Sequence, residues 1–313
     1  MTIGIPRALL YFKYKDLWET FFSKLGFKII ISEQTNKKIL NDGIRYSIDE
    51  CCLPSKIYMG HVYSLIEKCD YILVPRFDSF GKNDVVCVKF NAMYDIVKNT
   101  FKNIRLIDYN LDAINGENEL NGFIRMGRKL GKSYLHSLSA YMAAKRVQVE
   151  KQKLMAASQD ELVNIENTLK ILVVSHPYNI YDKSLGHPII KQIKKLGGIP
   201  IYADAADSKR CIKKFNEDAS CLYWTYSKEL LGAISLYKDK VDGIILMTAF
   251  PCGPDSLVNE LLIRRLKNIP VSNIVLDELQ GEAGLQTRIE SFIDIINEKR
   301  KVHFISLKKE EQA

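Results

Sequence analysis

Short apolar runs alternate with helical patterns along the chain. Ile3-Gly4-Ile5 reads as a strand, Leu9 to Leu25 as a helix with apolar positions at helical spacing, and Phe27 to Ile31 as a β-branched strand ending at Ser32. Tyr71 to Val74 and Ile104 to Ile107 are further strands. A second series begins at Ile171 to Val174 and continues through Ile199 to Tyr202, Gly243 to Leu246 and Ile274 to Leu276. Strands alternating with helices predict an α/β fold whose mostly parallel sheets are covered on both faces.

The two series keep one register. Pro6 to Gly26 spans 20 residues, as does Pro177 to Gly197, and both intervals end in Leu-Gly, a helix stop before a strand. Gly26 to Asp70 is 44 residues and Gly197 to Asp242 is 45, and each aspartate opens an apolar strand. Three paired landmarks make an internal repeat. It predicts two Rossmann-like lobes, residues 1–115 and 169–302, joined by a helical connector over 116–168. The connector lacks proline and strand pattern, is rich in helix formers, and should break near Gly131-Lys132-Ser133. Residues 303–313 form a tail after the second lobe, in which the stretch Val302 to Leu307 reads as a short edge strand and Lys308 to Ala313 as a charged, frayed end.

Composition adds exclusions. With 47% hydrophobic and 26% charged residues the chain reads as a globular protein. No apolar run approaches the roughly 18 residues that read as a membrane span, and the first residues have no signal-peptide pattern. A cytoplasmic protein without a membrane partner is expected. The net charge of +8 is spread over helix faces such as Lys191, Lys194 and Lys195, and no zinc-finger or RNP-type motif points to nucleic acid. Seven scattered cysteines do not form a disulfide framework. Cys69, Cys211 and Cys221 lie in helical or apolar stretches and read as packing residues.

The other cysteines fall in loops at the carboxyl ends of strands, where open α/β sheets bind ligands. Cys252 stands in Pro251-Cys252-Gly253-Pro254-Asp255, after a strand and before a helix, where the helix dipole favours a thiolate. Cys87 occupies the corresponding place in the first lobe, after a polar loop and before the helix Lys89 to Phe101. Cys52 precedes Leu53-Pro54, at another helix start. Cys52 lies 18 residues before Asp70, and the same offset before Asp242 falls on Trp224. The repeat therefore supplies three loop cysteines and one tryptophan. A structural zinc normally takes four closed ligands. Two readings of the three thiols stay open on the residues alone: a shared metal or cluster site, or unrelated loop thiols.

At these residues the chain resembles the family of 2-hydroxyacyl-CoA dehydratases and their activase-related domains. The resemblance rests on Ile3-Gly4-Ile5-Pro6-Arg7-Ala8-Leu9-Leu10-Tyr11, Asp49-Glu50-Cys51-Cys52-Leu53-Pro54 and Gly60-His61-Val62. It continues in Ser175-His176-Pro177-Tyr178-Asn179-Ile180-Tyr181-Asp182, Leu222-Tyr223-Trp224, Pro251-Cys252-Gly253-Pro254-Asp255-Ser256, Asp277-Glu278 and Gly281-Glu282-Ala283-Gly284. It implies a four-iron four-sulfur cluster on Cys52, Cys87 and Cys252 with one iron left open, or a bridged double cluster. It also implies an ATP-dependent activase as electron donor, a CoA-thioester-like substrate to be reduced or dehydrated, and a second dehydratase-like subunit or a homodimer. Two positions depart from the pattern: Val88 follows Cys87 where proline is usual, and Leu279 follows Asp277-Glu278 where a polar residue, often histidine, is expected. No glycine-rich phosphate loop is present, which puts the chain on the electron-accepting side.

Further candidates carry a plain alternative each. His61 could hydrogen-bond a cluster sulfide or substrate carbonyl, or be a satisfied core histidine. His176 sits in the first strand-to-helix loop of the second lobe, a natural ligand position. Arg7, in the matching loop of the first lobe, suits an anionic group, and Lys56 does so more weakly. Glu282 is a candidate catalytic carboxylate or a helix cap. Cys51 either adds a ligand or points away from Cys52. The function is thus an iron–sulfur redox protein or, alternatively, an accessory module that binds a small ligand.

Overall fold

The computed structural model describes residues 1–217, 222–279 and 281–310, with the backbone only for 282 and 302–310. The first lobe begins with β1 (Thr2–Ile5), α1 (Tyr11–Lys24), β2 (Lys28–Ile31), α2 (Lys37–Arg45), α3 (Leu53–Leu65) and β3 (Tyr71–Leu73). It ends with β4 (Arg76–Gly81), β5 (Asp84–Val85), α4 (Val88–Thr100), β6 (Leu106–Ile107) and β7 (Asn110–Asp112). Helices α5 (Glu119–Lys129) and α6 (Tyr134–Val163) follow, broken around Gly131, and α6 packs on α1 of the first lobe and on β9 of the second. The second lobe runs through β8 (Leu169–Val174), α7 (Pro177–Ile180), α8 (Gly186–Lys195), β9 (Gly198–Tyr202), α9 (Ser208–Glu217) and α10 (Thr225–Tyr237). It closes with β10 (Gly243–Ala249), α11 (Gly253–Arg265), β11 (Val271–Leu276) and α12 (Glu282–Glu310).

The two main sheets share one topology. The order is β2-β1-β3-β6 in the first lobe and β11-β10-β8-β9 in the second, all neighbours parallel. Substituting β8 for β1, β9 for β2, β10 for β3 and β11 for β6 converts one order into the other. These are the two Rossmann-like lobes that the repeat predicts. β10 is buried along its whole length, as a strand covered on both faces must be. Burying a side chain such as Ile3, Ile5, Ile244 or Ile245 stabilises the fold by roughly 1.5–3 kcal/mol each. Gly26 and Gly197, the paired helix stops, both adopt left-handed φ (+76° and +79°), where a Cβ would be strained.

The repeat extends to helix packing. Gly60 of α3 lies against α2 so closely that a Cβ would fall 1.9 Å from the Ile39 carbonyl oxygen. Gly232 of α10 meets α9 with the same 1.9 Å separation from the Cys211 carbonyl oxygen. Gly60 and Gly232 stand eight residues after Cys52 and Trp224 respectively. These crossings fix where α3 and α10 begin.

Two expectations are corrected. The polar loop before Cys87 contains β4 and β5, which join β7 in a separate small sheet of order β5-β4-β7. The segment 302–307 is not an edge strand: α12 continues through it to Glu310, because no breaker interrupts the helix after Lys301.

Candidate functional site

Four helices of equal length, 13 residues each, start at one place between the lobes: α3 after Cys52, α4 after Cys87, α10 after Trp224 and α11 after Cys252. All four preceding residues line one cleft enclosing about 510 Å³ of space, part of it open to solvent. Each helix start presents unpaired N–H groups and the positive end of its dipole. Proline in the first turn of α3 and of α11 removes an N–H that would have no partner there. Cys252 and His176 also stand beyond β10 and β8, the strands between which the second sheet reverses its order.

Burial pushes the Cys87 thiol up, against the lowering effect of the Lys89 N–H, with Cys52 and Asp255 adding to the rise. Burial pushes Cys252 well up too, followed by the charge of Asp255. Burial outweighs the nearby charge of Lys89 at Cys87, so these two are neutral thiols, and a bound metal centre would convert them to thiolates. Cys52 Sγ lies 3.1 Å from Ser55 Oγ. Soft sulfur donors grouped around a cavity suit an iron–sulfur centre. Among the described residues, no three His, Cys, Asp or Glu side chains form a ready site for a single metal ion. A polynuclear cluster has a different demand, because its thiolates bind different irons and need only surround the same space.

The walls are aromatic. Phe90, Tyr178, Trp224 and Tyr226 line the cleft, and Tyr226 shares a 3.1 Å hydrogen bond with Tyr14. Burial raises Tyr178 and Tyr226 well above the ordinary phenol range, so both stay neutral. His176 stacks on Tyr178 with ring centroids 5.1 Å apart, and its Nε2 lies 2.9 Å from Asp255 Oδ1. Burial opposes ionisation of Asp255, yet attraction to His176 and hydrogen bonds from His176 and Cys252 outweigh it and hold the carboxyl below its usual range. Asp255 thus ties the imidazole to the turn that carries Cys252.

The lobes are fastened around this cleft by paired contacts. The Leu53 N–H donates to the Phe250 carbonyl at 2.9 Å, and the Val85 N–H to the Tyr223 carbonyl at 2.9 Å. Lys56 of the first lobe pairs with Glu278 of the second at 3.1 Å, and Lys228 of the second with Asp84 of the first at 2.8 Å. Lys56 and Lys228 each follow their helix-start residue, Cys52 or Trp224, by four positions. Lys13 and Glu229 form another ion pair across the lobes.

Cys52, Cys87, Cys252, His176 and Trp224 therefore share the cleft. Arg7 and His61 do not: His61 is fully buried between Ser32 Oγ (2.9 Å) and Thr35 Oγ1 (3.0 Å), and Arg7 lines a different pocket. Burial, then the charge of Arg7, lowers the His61 pKa to about 3, as a neutral core histidine requires. Lys56 is committed to Glu278. Glu282 is the first residue of α12, and its side chain lies outside the described residues. Cys51 is buried, with Lys89 Nζ 3.5 Å from its sulfur. Cys69 donates to the Leu65 carbonyl and Cys211 is in the core of the second lobe, whereas Cys221 is outside the described residues. Val88 opens α4 exposed, and Leu279 is 89% exposed. Sequence reading gave no role to Asp255 or Lys228; the repeat offset that pairs Lys228 with Lys56 was the available signal for the latter.

The fold and cleft define a two-lobed α/β protein with a cysteine-lined site between its halves. The chain belongs to the family described as the CoA enzyme activase uncharacterised domain (DUF2229), which matches residues 2–205. No curated protein matches it. Solved structures that align over most of its length include the substrate-binding protein FpvC with Ni²⁺ from P. aeruginosa (11% identity, 96% of this chain and 97% of that one, TM-score 0.27). Others are ZnuA (12%, 95% and 98%, TM-score 0.27) and a carbohydrate transporter from Acidothermus cellulolyticus with myo-inositol (10%, 95% and 87%, TM-score 0.21). Superposition that poor carries no functional argument. Among the described residues no helix is long and apolar enough to cross a membrane.

Proposed function

We propose that Cys52, Cys87 and Cys252 hold a four-iron four-sulfur cluster, and that the chain is an electron-accepting redox component of an activase system related to the 2-hydroxyacyl-CoA dehydratases. The observation that carries this reading is the meeting of three cysteines, each at the start of a 13-residue helix, in one cleft between two lobes. Such a cluster, charged by an ATP-dependent activase, supplies one-electron chemistry to a thioester-type substrate. The chain's own share is to bind and shield. Three helix dipoles stabilise the thiolates and the net negative charge of the centre. Trp224 takes the fourth helix start, where its indole offers no metal ligand and leaves one side of the space without a thiolate. Phe90, Tyr178, Trp224 and Tyr226 line the cleft and shield it from bulk water. His176, oriented by Asp255, holds a proton at Nδ1 or Nε2 within the same cleft.

The test is anaerobic purification followed by iron and acid-labile sulfide analysis. The expected protein is brown and bleaches in air. Cys52→Ser, Cys87→Ser and Cys252→Ser should each lose most of the iron, while Cys69→Ser and Cys211→Ser keep it. A colourless anaerobic protein free of iron and sulfide would leave the small-ligand module as the surviving reading.

A further inference from the structure

A second inter-lobe pocket lies apart from the cysteines. It encloses about 480 Å³, open on one side, and is lined by Arg7, Gln34, Thr35, Asp182, Lys183 and His187, with the rings of Phe12 and Tyr181 completing it. It sits beyond the carboxyl ends of β1 and β2 on one side and after α7 on the other. We propose that this pocket binds a small organic oxyanion, a carboxylate or phosphate ester, on the guanidinium of Arg7. This goes beyond the cluster reading and does not depend on it.

Three features build the site. First, Arg7 is held in place but left without a counter-charge. Its N–H donates to Ser32 Oγ at 2.7 Å, its Nε donates to the Ser32 carbonyl at 3.1 Å, and its guanidinium lies 5.8 Å from the Tyr11 ring centroid. Among the described residues it has no carboxylate partner. A fork fixed at Nε keeps its outer N–H groups for two oxygens of a carboxylate or phosphate. Secondly, the one carboxylate on the wall is already occupied. Asp182 Oδ1 accepts from the Ser184 and Leu185 N–H groups at 2.8 and 3.2 Å, and Oδ2 accepts from the Thr35 hydroxyl. Thirdly, the other nitrogen-bearing basic side chains at the rim, those of Lys183 and His187, are exposed and add no carboxylate. Neutral His61 braces the floor through Ser32 and Thr35 and adds no competing charge. Because Thr35 and Asp182 come from different lobes, an occupant would touch both.

Isothermal titration of the full-length, cluster-free chain in low-salt buffer tests the site, with inorganic phosphate and succinate as separate probes. Saturable binding of one probe per chain is expected, and the preferred probe identifies the class of anion. Loss of a charge-assisted pair predicts binding about 10- to 100-fold weaker in Arg7→Ala. Arg7→Lys, which keeps the charge without the fork, should fall between. Should Arg7→Ala fail to fold, the exposed double variant Lys183→Ala/His187→Ala reads the same pocket, with weakening of about threefold or more. Cys87→Ser should bind like the wild type, which separates this site from the cysteine cleft. Binding that does not saturate, that is equal in wild type, Arg7 and rim variants, or that disappears in Cys87→Ser, overturns the proposal.

Discussion

Replacing Glu278 by Gln should destabilise the protein more than replacing its partner Lys56 by Met. Lys56 Nζ lies 3.1 and 3.3 Å from the two carboxylate oxygens, and the side chains are 8% and 24% exposed. Glu278→Gln leaves a buried ammonium with one amide oxygen and no counter-charge. Removing one partner of a buried pair costs about 3–5 kcal/mol. The partial exposure of Glu278 lowers that to about 2–4 kcal/mol here. Lys56→Met removes the buried charge and leaves a carboxylate that can turn to water, so its cost should stay near 1 kcal/mol. The double variant should resemble Lys56→Met. For a chain of this size about 2–4 kcal/mol corresponds to a fall of roughly 3–6 °C in Tm. Thermal and urea unfolding followed by circular dichroism measure all three variants. Asp84→Asn, on the paired contact, should cost only about 1 kcal/mol, because Asp84 is more exposed and the Asn83 carbonyl still accepts from Lys228 at 2.6 Å. Equal losses in Glu278→Gln and Lys56→Met would refute the reasoning, since they would mean that Lys56 is solvated as readily as Glu278.

Gly60→Ala and Gly232→Ala should each cost about 3 kcal/mol or prevent folding, because the new methyl would meet a backbone oxygen that cannot move without separating two helices. Gly253→Ala, with nothing near its Cβ, should change unfolding by less than about 1 kcal/mol in the same assay. His61 supplies a pH test: its folded pKa of about 3 lies below the ordinary value of 6.5, so only the unfolded chain takes up its proton between those limits. Stability is therefore lost as pH falls from about 6.5, by about 2 kcal/mol at pH 5 from this group alone. His61→Gln should flatten that limb of the urea midpoint against pH, and an unchanged slope would show that His61 titrates in the native state.

The strands of both main sheets were readable because a strand covered on two faces needs an unbroken apolar run, as in Ile171 to Val174 and Gly243 to Leu246. The small sheet was not, since Arg76–Gly81, Asp84–Val85 and Asn110–Asp112 are short and mostly polar. Val302 to Leu307 misled for the opposite reason: its β-branched and aromatic residues suit a strand, but a helix already running through Lys301 continues at less cost than a new start. In the site, helix-start positions brought Cys52, Cys87 and Cys252 together as loop reasoning expected of ligands in open sheets. His61 stood on the same helix as Cys52 yet faces Ser32 and Thr35, two turns further on. Sequence proximity to a cysteine gave it no access to the cleft.

The repeat explains why the cleft is lopsided. Lys56 has its counterpart in Lys228, Gly60 in Gly232, and Cys87 in Cys252, each at the same offset or the same helix start. Of the helix-start residues, Cys52 is the one answered by a different chemistry, Trp224, at the start of α10. The backbone beside Trp224 also joins the lobes, through the Val85 N–H to the Tyr223 carbonyl. Two equivalent lobes thus build four equivalent helix starts around one space, and three of them offer sulfur while the fourth offers a ring. The lysines and glycines that hold the lobes together keep the repeat, whereas one of the four helix starts that line the cleft departs from it. A purely structural repeat would have no reason to localise its departure there; a site that must bind a group on three sides and admit something on the fourth would.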